Sequence, residues 1–246
     1  MISPCSYYIE RRRFRPGPPP TLPQPQLSPR LLRLIHAEPL ATAAVLDLGC
    51  GTGRLALALA PHAAWVCGAD WSEAAVLAAR RQAAAAGLTN CEFRIADAEA
   101  IDYDALLPAA GAFPRWDLIV AHLCMADAMI ERAAQALAAG HCLCFVAFHG
   151  DQWSETGRRS RFAYDEEQLA QVLAAAGFRV EFLGVEQEIV SFESAEIAFS
   201  HYFTAGDLVQ RWQEDGRLEG LRSYFAAGGR TFTAKSHVIV KARRVA

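Results

Sequence analysis

The sequence lacks three features that would assign it to a specialised class of protein. Its 246 residues carry 24 Lys and Arg against 27 Asp and Glu, a formal net charge of −3. A chain so close to neutral has no overall positive field for a polyphosphate backbone, which disfavours a nucleic-acid partner. No uncharged apolar run reaches the roughly 18 residues that a membrane span requires, so no membrane contact is expected. With 52% apolar residues, the chain is also too hydrophobic to be disordered.

The seven cysteines lack the spacing typical of metal sites, since no C-x-x-C pair is present. Cys142 and Cys144, with His141 and His149 nearby, offer ligand atoms for a metal, but both cysteines fall inside an apolar, strand-like segment. We therefore predict core cysteines and no metal site. An export signal is not expected either, because Arg11–Arg13 is followed by prolines where an apolar segment would be needed. The predicted location is cytoplasmic.

A proline-rich segment precedes the first regular pattern. Seven prolines fall between Pro16 and Pro29, a density that excludes helix and inner strand. Residues 1–29 are therefore predicted to be a flexible leader outside the folded core, with the main domain over 30–246.

Strand-like and helix-like segments alternate from Ala43 onward. This alternation predicts an α/β fold with a doubly wound, seven-stranded, mostly parallel sheet. The predicted strands are Val45–Leu48, Ala64–Ala69, Cys91–Ala96, Trp116–His122, His141–Phe148, Phe178–Leu183 and Ser236–Lys241.

Residues 185–234 interrupt the alternation before the last strand. Two helices are predicted there, over Ala205–Trp212 and Leu218–Phe225. The segment leaves its strand at the carboxyl end, the side on which open α/β sheets bind ligands, and it is rich in aromatic residues. We interpret it as a helical substrate cap; a purely structural insertion stays open.

A glycine-rich turn follows the first predicted strand. Gly49, Gly51 and Gly53 allow a ligand to approach the backbone closely, and the next helix directs its amides towards the same place. A dinucleotide fingerprint would need Gly or Ala where Arg54 stands. Asp47, before the glycines, would repel a pyrophosphate and attract an ammonium group. The turn therefore favours a nucleoside that carries an amino acid over NAD.

The stretch from Asp47 to Gly53 (DLGCGTG) resembles the first motif of the class I S-adenosylmethionine-dependent methyltransferases. Gly68–Ser72 and Ala96–Glu99 resemble the second and third motifs, and Trp116–His122 resembles the fourth strand. The likeness covers about residues 43–183 plus the last strand, and it implies a Rossmann-like fold with S-adenosylmethionine as cofactor. In that family an acidic residue such as Asp70 accepts the ribose hydroxyls, and one such as Asp97 accepts the adenine amine. The cofactor-binding residues implied are Asp47, Gly49, Cys50, Gly51, Thr52, Gly53, Asp70, Trp71, Asp97, Ala98, Glu99, Ala121 and His122.

Candidates for the methyl-acceptor side are fewer. Methyl transfer from a sulfonium is a direct displacement that mainly needs alignment, and a base is required only for a protonated acceptor. His122 and His149, after the fourth and fifth strands, are the candidate catalytic residues because a histidine can take a proton near neutral pH. Lining of the site, or a hydrogen bond to the backbone, is the alternative for both. Arg158, Arg159 and Arg161 could hold an acidic substrate.

The segment after the fourth strand, Ala121–Cys124, contains no N-P-P-Y-like tetrapeptide. This weakens methylation of adenine or glutamine and favours a small-molecule acceptor. The predicted function is therefore S-adenosylmethionine-dependent methyl transfer to a small molecule. A non-catalytic S-adenosylmethionine-binding protein and, less favoured, a nicotinamide-dependent oxidoreductase are the alternatives. Neither the acceptor nor the oligomeric state follows from the sequence.

Overall fold

A sheet built mostly of parallel strands organises the chain. The computed structural model describes residues 8–14, 26–108, 111–204 and 206–245. In these residues the strands are β1 (Tyr8–Phe14), β2 (Ala44–Leu48), β3 (Trp65–Asp70), β4 (Cys91–Ile95), β5 (Trp116–His122), β6 (Leu137–His149), β7 (Ala163–Tyr164), β8 (Phe178–Ser191) and β9 (Thr231–Arg244). Eight of them follow the order β1-β8-β9-β6-β5-β2-β3-β4, and β7 pairs with β6.

Helices connect most of these strands. They are α1 (Pro29–His36), α2 (Arg54–Leu59), α3 (Glu73–Ala85), α4 (Asp127–Ala136), α5 (Glu166–Ala175), α6 (Ala195–Ile197), α7 (Asp207–Glu214) and α8 (Arg217–Ala226). In α3, Ser72 caps the first turn with a hydrogen bond from the Ala75 amide at 3.3 Å. Among the described residues, every helix is too short or too polar to cross a membrane.

The alternation of strands and helices confirms the predicted α/β class. All five residues of β2 are buried, and the strand pairs in parallel with β3 and β5, as expected for a strand covered on both faces. All seven predicted strands are present, and β1 and β7 join them. The two additional strands were not predicted because β7 has only two residues and β1 lies beside the proline-rich stretch.

The predicted leader contains regular structure at two places. Tyr8–Phe14 forms β1, whose backbone pairs in parallel with Gly184–Val190 of β8. Pro29 begins α1, with the Ser28 hydroxyl accepting from the Leu31 amide at 3.2 Å. Proline is compatible with the first position of a helix, where the backbone N–H has no intrahelical partner. The remainder of the leader, residues 1–7 and 15–25, lies outside the described residues.

The chain divides into two compact units. The first contains the described parts of Met1–Gln26 together with Phe148–Asp165 and Gly184–Val238; the second contains Leu27–Ala147, Glu166–Leu183 and Ile239–Ala246. Residues 185–234 therefore belong to the first unit with 148–165. Strand β8 extends to Ser191 and β9 begins at Thr231, so the helical insertion is shorter than predicted, over 192–230.

Each unit has its own hydrophobic core. In the second unit, apolar residues of β2, β5, α1 and α2 pack together with Cys142 and Cys144, which are fully buried. This confirms the prediction of core cysteines. In the first unit the core is aromatic; its buried rings are Phe192, Tyr202, Phe203, Trp212, Phe225 and Phe232.

Candidate functional site

The carboxyl ends of four neighbouring strands meet at one edge of the sheet within the second unit. The register pairs Leu48 with Ala69 and with Ala121, and it pairs Asp70 with Ile95. The glycine turn, the segment from Asp70 and the segment from Asp97 therefore leave the sheet side by side. This edge is where ligands bind in doubly wound folds.

The glycine turn between β2 and α2 adopts a conformation that depends on its glycines. Gly49, Gly51 and Gly53 have φ of 59°, 54° and 87°, in the left-handed region that side chains disfavour. A Cβ atom at Gly51 would meet no atom of the described chain within 4 Å. Space is therefore available directly above the Gly51 backbone, and Thr52 beside it is exposed. Cys50 is buried beneath the turn.

Asp70, the last residue of β3, holds the turn in place. Its Oδ2 atom accepts from the Gly51 amide at 2.8 Å, and its Oδ1 atom accepts from the Ser72 amide at 2.8 Å. The residue is only 8% exposed. Each carboxylate oxygen has two lone-pair directions, so one direction on each oxygen is left for a further donor. The sequence-predicted residues Gly51 and Asp70 are thus brought into direct contact.

Asp47 lies deeper, below the turn. It is 1% exposed, and its Oδ2 atom accepts from the Ala56 amide of α2 at 3.0 Å. Burial, the largest cause, and the nearby Asp70 carboxylate raise the pKa of Asp47 to about 7, although the hydrogen bond from Ala56 opposes the shift. Asp47 therefore connects the strand to the following helix.

A residue that the sequence analysis did not single out completes this end of the sheet. The thiol of Cys124 donates to the carbonyl oxygen of Leu48 at 3.0 Å, and a Cβ atom at Gly49 would overlap its sulfur atom. Burial raises the pKa of Cys124 to about 12, helped by the charge of Asp47, so the group is a protonated thiol near neutral pH. Leu123 before it has φ of 68°, and no motif signals this strained turn.

The segment after β4 presents the other predicted cofactor residues. Asp97 is exposed, and its Oδ1 atom accepts from the Glu99 amide at 2.9 Å. The Ala98 carbonyl accepts from the Tyr103 hydroxyl at 2.8 Å, which fixes the turn. Trp71 is 80% exposed, unusual for so large an apolar ring.

Ala121 and His122 lie at the end of β5. Ala121 is fully buried beside β2, and His122 is half-buried. The structure thus brings His122 to the same edge as the glycine turn. A catalytic role for His122 stays a prediction.

His149 belongs to the first unit, at the end of β6. It is 8% exposed, and its Nδ1 atom lies 3.0 Å from the Ser236 hydroxyl and 3.6 Å from Asp151 Oδ2. Gln187 donates to both Asp151 and Ser236. His149 was predicted as a site residue from the sequence, but Gln187 and Ser236 come from distant strands and carry no motif.

The three arginines considered for an acidic substrate have partners of their own in the first unit. Arg159 donates to Asp165 Oδ2 at 2.9 Å and to the Ala163 carbonyl at 3.1 Å. The Arg161 guanidinium lies 3.9 Å from the centre of the Phe162 ring, and Arg158 lies against Gly216. Binding of an acidic substrate by these side chains stays a prediction.

The aromatic residues of the insertion pack on one another. Phe203 contacts Phe232 edge-on, with ring centres 4.9 Å apart, and Trp153 contacts Trp212 in the same way at 5.0 Å. The Tyr202 hydroxyl and the Trp212 indole N–H are buried and have no hydrogen-bond partner among the described residues. These rings form a core for the first unit, and the substrate-cap role of 185–234 remains a prediction.

Comparisons with known proteins agree with this geometry. A family model described as a methyltransferase domain matches residues 41–151. An uncharacterized RNA methyltransferase of Nitratidesulfovibrio vulgaris is 51% identical over 57 residues, a match that covers 23% of this chain and only 12% of the relative.

Solved structures resemble nearly the whole chain. The YcgJ protein of Bacillus subtilis aligns with a TM-score of 0.65 at 15% sequence identity. The alignment covers 87% of this chain and 97% of the YcgJ chain. Magnesium protoporphyrin IX methyltransferase of Synechocystis, with bound S-adenosylhomocysteine, has a TM-score of 0.55 at 18% identity. That alignment covers 87% of this chain and 80% of the methyltransferase chain. The [4+2]-cyclase SpnF has a TM-score of 0.57 at 25% identity, and its alignment covers 88% of this chain and 80% of the SpnF chain. The methyltransferase domain model thus covers the glycine turn and both acidic strand ends, and the solved structures share the fold that carries them.

Proposed function

We propose that this protein transfers the methyl group of S-adenosylmethionine to a small-molecule acceptor. The observation that carries the proposal is the contact between Asp70 and the Gly51 amide, with open space above Gly51. A carboxylate fixed beside a left-handed glycine turn is suited to hold a ribose against exposed backbone. The lone pairs that Asp70 keeps available fit two ribose hydroxyls.

The other cofactor contacts follow from the same edge of the sheet. We assign Asp97 to the adenine amine, because it is exposed at the end of the next strand. Trp71 would cover an apolar face of the nucleoside with its exposed ring. Gly51 leaves room for the chain of the cofactor, while Asp47 and Cys50 support the turn from below. When bound, S-adenosylmethionine supplies the electrophilic methyl group, so the protein's task is alignment and exclusion of water.

Two considerations support a small acceptor. The formal net charge of −3 disfavours a long polyanion, and one structure with the same fold is a methyltransferase named for a porphyrin substrate. The relative named for RNA is similar over only 23% of this chain. We therefore favour a small molecule and retain RNA as an outcome of the test.

A second candidate is a cofactor-binding protein that does not transfer a methyl group. It is favoured by the similarity to SpnF, which is named a [4+2]-cyclase. A fold alone does not fix the reaction. Binding and turnover must therefore be measured separately.

Calorimetric titration with S-adenosylhomocysteine tests the cofactor site. Wild type should bind, and Asp70→Asn should bind roughly 10- to 100-fold more weakly, the equivalent of about 1–3 kcal/mol for hydrogen bonds to a charged group. Asp104→Asn, an exposed carboxylate in the same unit, is the matched control. Equal affinity of Asp70→Asn and wild type would remove Asp70 from the site. Binding of NAD in place of S-adenosylhomocysteine would favour the oxidoreductase.

Turnover is then measured with S-adenosylmethionine carrying a labelled methyl group. The acceptor panel contains small carboxylates, phenols, amines and thiols, and a separate arm contains total RNA. Label in a small molecule supports the proposal, and label in RNA alone overturns it. Tight binding with no transfer in either arm would favour the non-catalytic alternative.

A further inference from the structure

A chain of buried polar groups surrounds His149 in the first unit. The imidazole follows β6, Gln187 lies in β8 and Ser236 lies in β9. Their residues are 8%, 4% and 0% exposed. Buried polar groups are costly unless hydrogen-bonded, so the direction of each hydrogen in this chain can be worked out from its partners.

The orientation of the Gln187 amide is fixed by a carboxylate. Gln187 Nε2 lies 2.7 Å from Asp151 Oδ2 and 3.0 Å from Ser236 Oγ. The opposite orientation would place the amide oxygen against the carboxylate oxygen, where neither atom carries a hydrogen. Both hydrogens of the Gln187 amide nitrogen are therefore used, one towards Asp151 and one towards Ser236.

The Ser236 oxygen accepts from Gln187 and lies 3.0 Å from His149 Nδ1. A hydroxyl oxygen has two lone pairs, so Ser236 could donate to Nδ1 or accept a second time from an Nδ1–H group. The backbone decides between these two arrangements.

The Asp151 amide donates to His149 Nδ1 at 3.2 Å, and an amide N–H cannot accept in return. The turn that aims it is closed by a hydrogen bond from the Gln152 amide to the His149 carbonyl at 2.9 Å. Asp151 Oδ2 lies 3.6 Å from Nδ1, too far to accept a hydrogen bond from it. Nδ1 therefore carries no hydrogen, so Ser236 donates to it and completes a chain from Gln187 through Ser236 to Nδ1. In a neutral imidazole with a bare Nδ1, the hydrogen is on Nε2.

We infer that Gln187 and Ser236 are positioning residues that hold neutral His149 in the tautomer protonated at Nε2. An Nε2–H group donates a hydrogen bond and cannot take a proton at that atom. In this tautomer His149 is a donor at Nε2 and is not a general base at that atom. Its part in methyl transfer rests on the proposed function; the tautomer does not.

Nitrogen-15 NMR of the full chain, labelled at histidine, tests the inference without any cofactor or acceptor. At about pH 8, where an ordinary histidine is neutral, the His149 signals are assigned by their loss in His149→Gln. We expect Nε2 at the position of a protonated ring nitrogen and Nδ1 at that of an unprotonated one. A protonated Nδ1, or the same averaged signals as the exposed His201, would overturn the inference.

Gln187→Met tests the positioning role at similar side-chain length. Without the Gln187 donor the Ser236 oxygen can accept from Nδ1, so the His149 Nδ1 signal should move towards the protonated position. Gln210→Met, an exposed site in the same unit, makes the same change and should leave the signal unchanged. If Gln187→Met does not fold, Ser236→Ala should move the signal in the same direction by a smaller amount. An unmoved His149 signal in a folded variant overturns the role of Gln187 and Ser236, whether or not the chain binds S-adenosylhomocysteine.

Discussion

The Cys124 sulfur occupies the space in which a side chain at Gly49 would lie. The thiol also donates to the Leu48 carbonyl, at 3.0 Å, so the end of β2 is held from the segment that follows β5. Two separate features therefore require glycine at position 49. Its φ of 59° is in the left-handed region, and the Cys124 sulfur leaves no space for a side chain. The glycine turn depends on packing as well as on backbone freedom.

Gly49→Ala should therefore destabilise the protein more than Gly51→Ala. Left-handed strain costs roughly 1–2 kcal/mol at either position, and overlap with Cys124 adds about 1–3 kcal/mol at Gly49 only. Gly51→Ala has space for the methyl group and is the matched control. Urea denaturation of both variants measures the difference. Equal loss of stability in the two variants would show that the Cys124 contact contributes nothing.

Much of the sheet could be predicted because its strands follow simple patterns. Trp116–His122 has the bounds that its apolar run predicted. Two short motifs were sufficient to name Gly51 and Asp70 as cofactor-binding residues, and the structure brings these two residues into contact. Such patterns are recognised from residues close together in the chain.

The parts of the fold and of the site that could not be predicted depend on contacts between residues far apart in the chain, which produce no local sequence pattern. Strand β8 continues through Gly184 to Ser191, although a glycine in a strand usually indicates a weak point. The partners of His149 come from β8 and β9, and Cys124 meets Gly49 from another loop. The aromatic residues of 192–230 form a core, and composition cannot distinguish a core from the wall of a cavity, so the substrate-cap role stays a prediction.

Glu38→Gln should destabilise the second unit through a partly buried ion-pair cluster. Burial would raise the pKa of Glu38, but hydrogen bonds from Arg243 and Lys241 outweigh it and lower the pKa to about 2. Lys241 is only 8% exposed, so removal of its partner leaves a poorly solvated charge. We expect the free energy of unfolding to fall by about 2–4 kcal/mol. The fall should lie at the lower end of this range because Arg243 still donates a hydrogen bond to Glu181.

The pH dependence of this effect has a definite sign. A lowered carboxyl pKa contributes stability above the ordinary value of 4.5, and this contribution is lost as pH falls towards 2. The gap between wild type and Glu38→Gln should therefore narrow in acid. Glu92→Gln, in an exposed pair with Arg94, is the control and should cost less than about 1 kcal/mol. A Glu38→Gln variant as stable as Glu92→Gln would contradict the prediction.

Tyr202→Phe should leave the first unit as stable as before, or more stable by about 1 kcal/mol. The Tyr202 hydroxyl is buried with no hydrogen-bond partner in the described part of the chain, and burial raises its pKa to about 12. Tyr224→Phe is the control in the same aromatic core, because its hydroxyl contacts Thr231 Oγ1 at 2.9 Å. Thermal melts should show a loss for Tyr224→Phe alone. A comparable loss for Tyr202→Phe would mean that its hydroxyl has a partner in solution.

Asp47→Asn should stabilise the protein at neutral and alkaline pH and have little effect below about pH 4. Burial raises the pKa of Asp47 from 3.8 to about 7 in the folded chain, so between these values the folded state binds a proton that the unfolded state has lost. Stability therefore falls as pH rises through this window, and the full cost, up to roughly 4 kcal/mol, is present above pH 7.

Asparagine removes the charge and keeps an oxygen for the Ala56 amide, which donates to Asp47 in wild type at 3.0 Å. Urea denaturation at a series of pH values should give stabilities for wild type and Asp47→Asn that differ least below about pH 4, diverge between about pH 4 and 7, and differ by a constant amount above pH 7. Asp117→Asn, whose carboxylate accepts from the Ala44 amide at 2.8 Å but is 37% exposed, controls for the loss of a carboxylate bonded to the backbone. A variant that is less stable than wild type at every pH would mean that the ionised Asp47 is held by donors stronger than the single amide, and that its charge is part of what shapes the glycine turn.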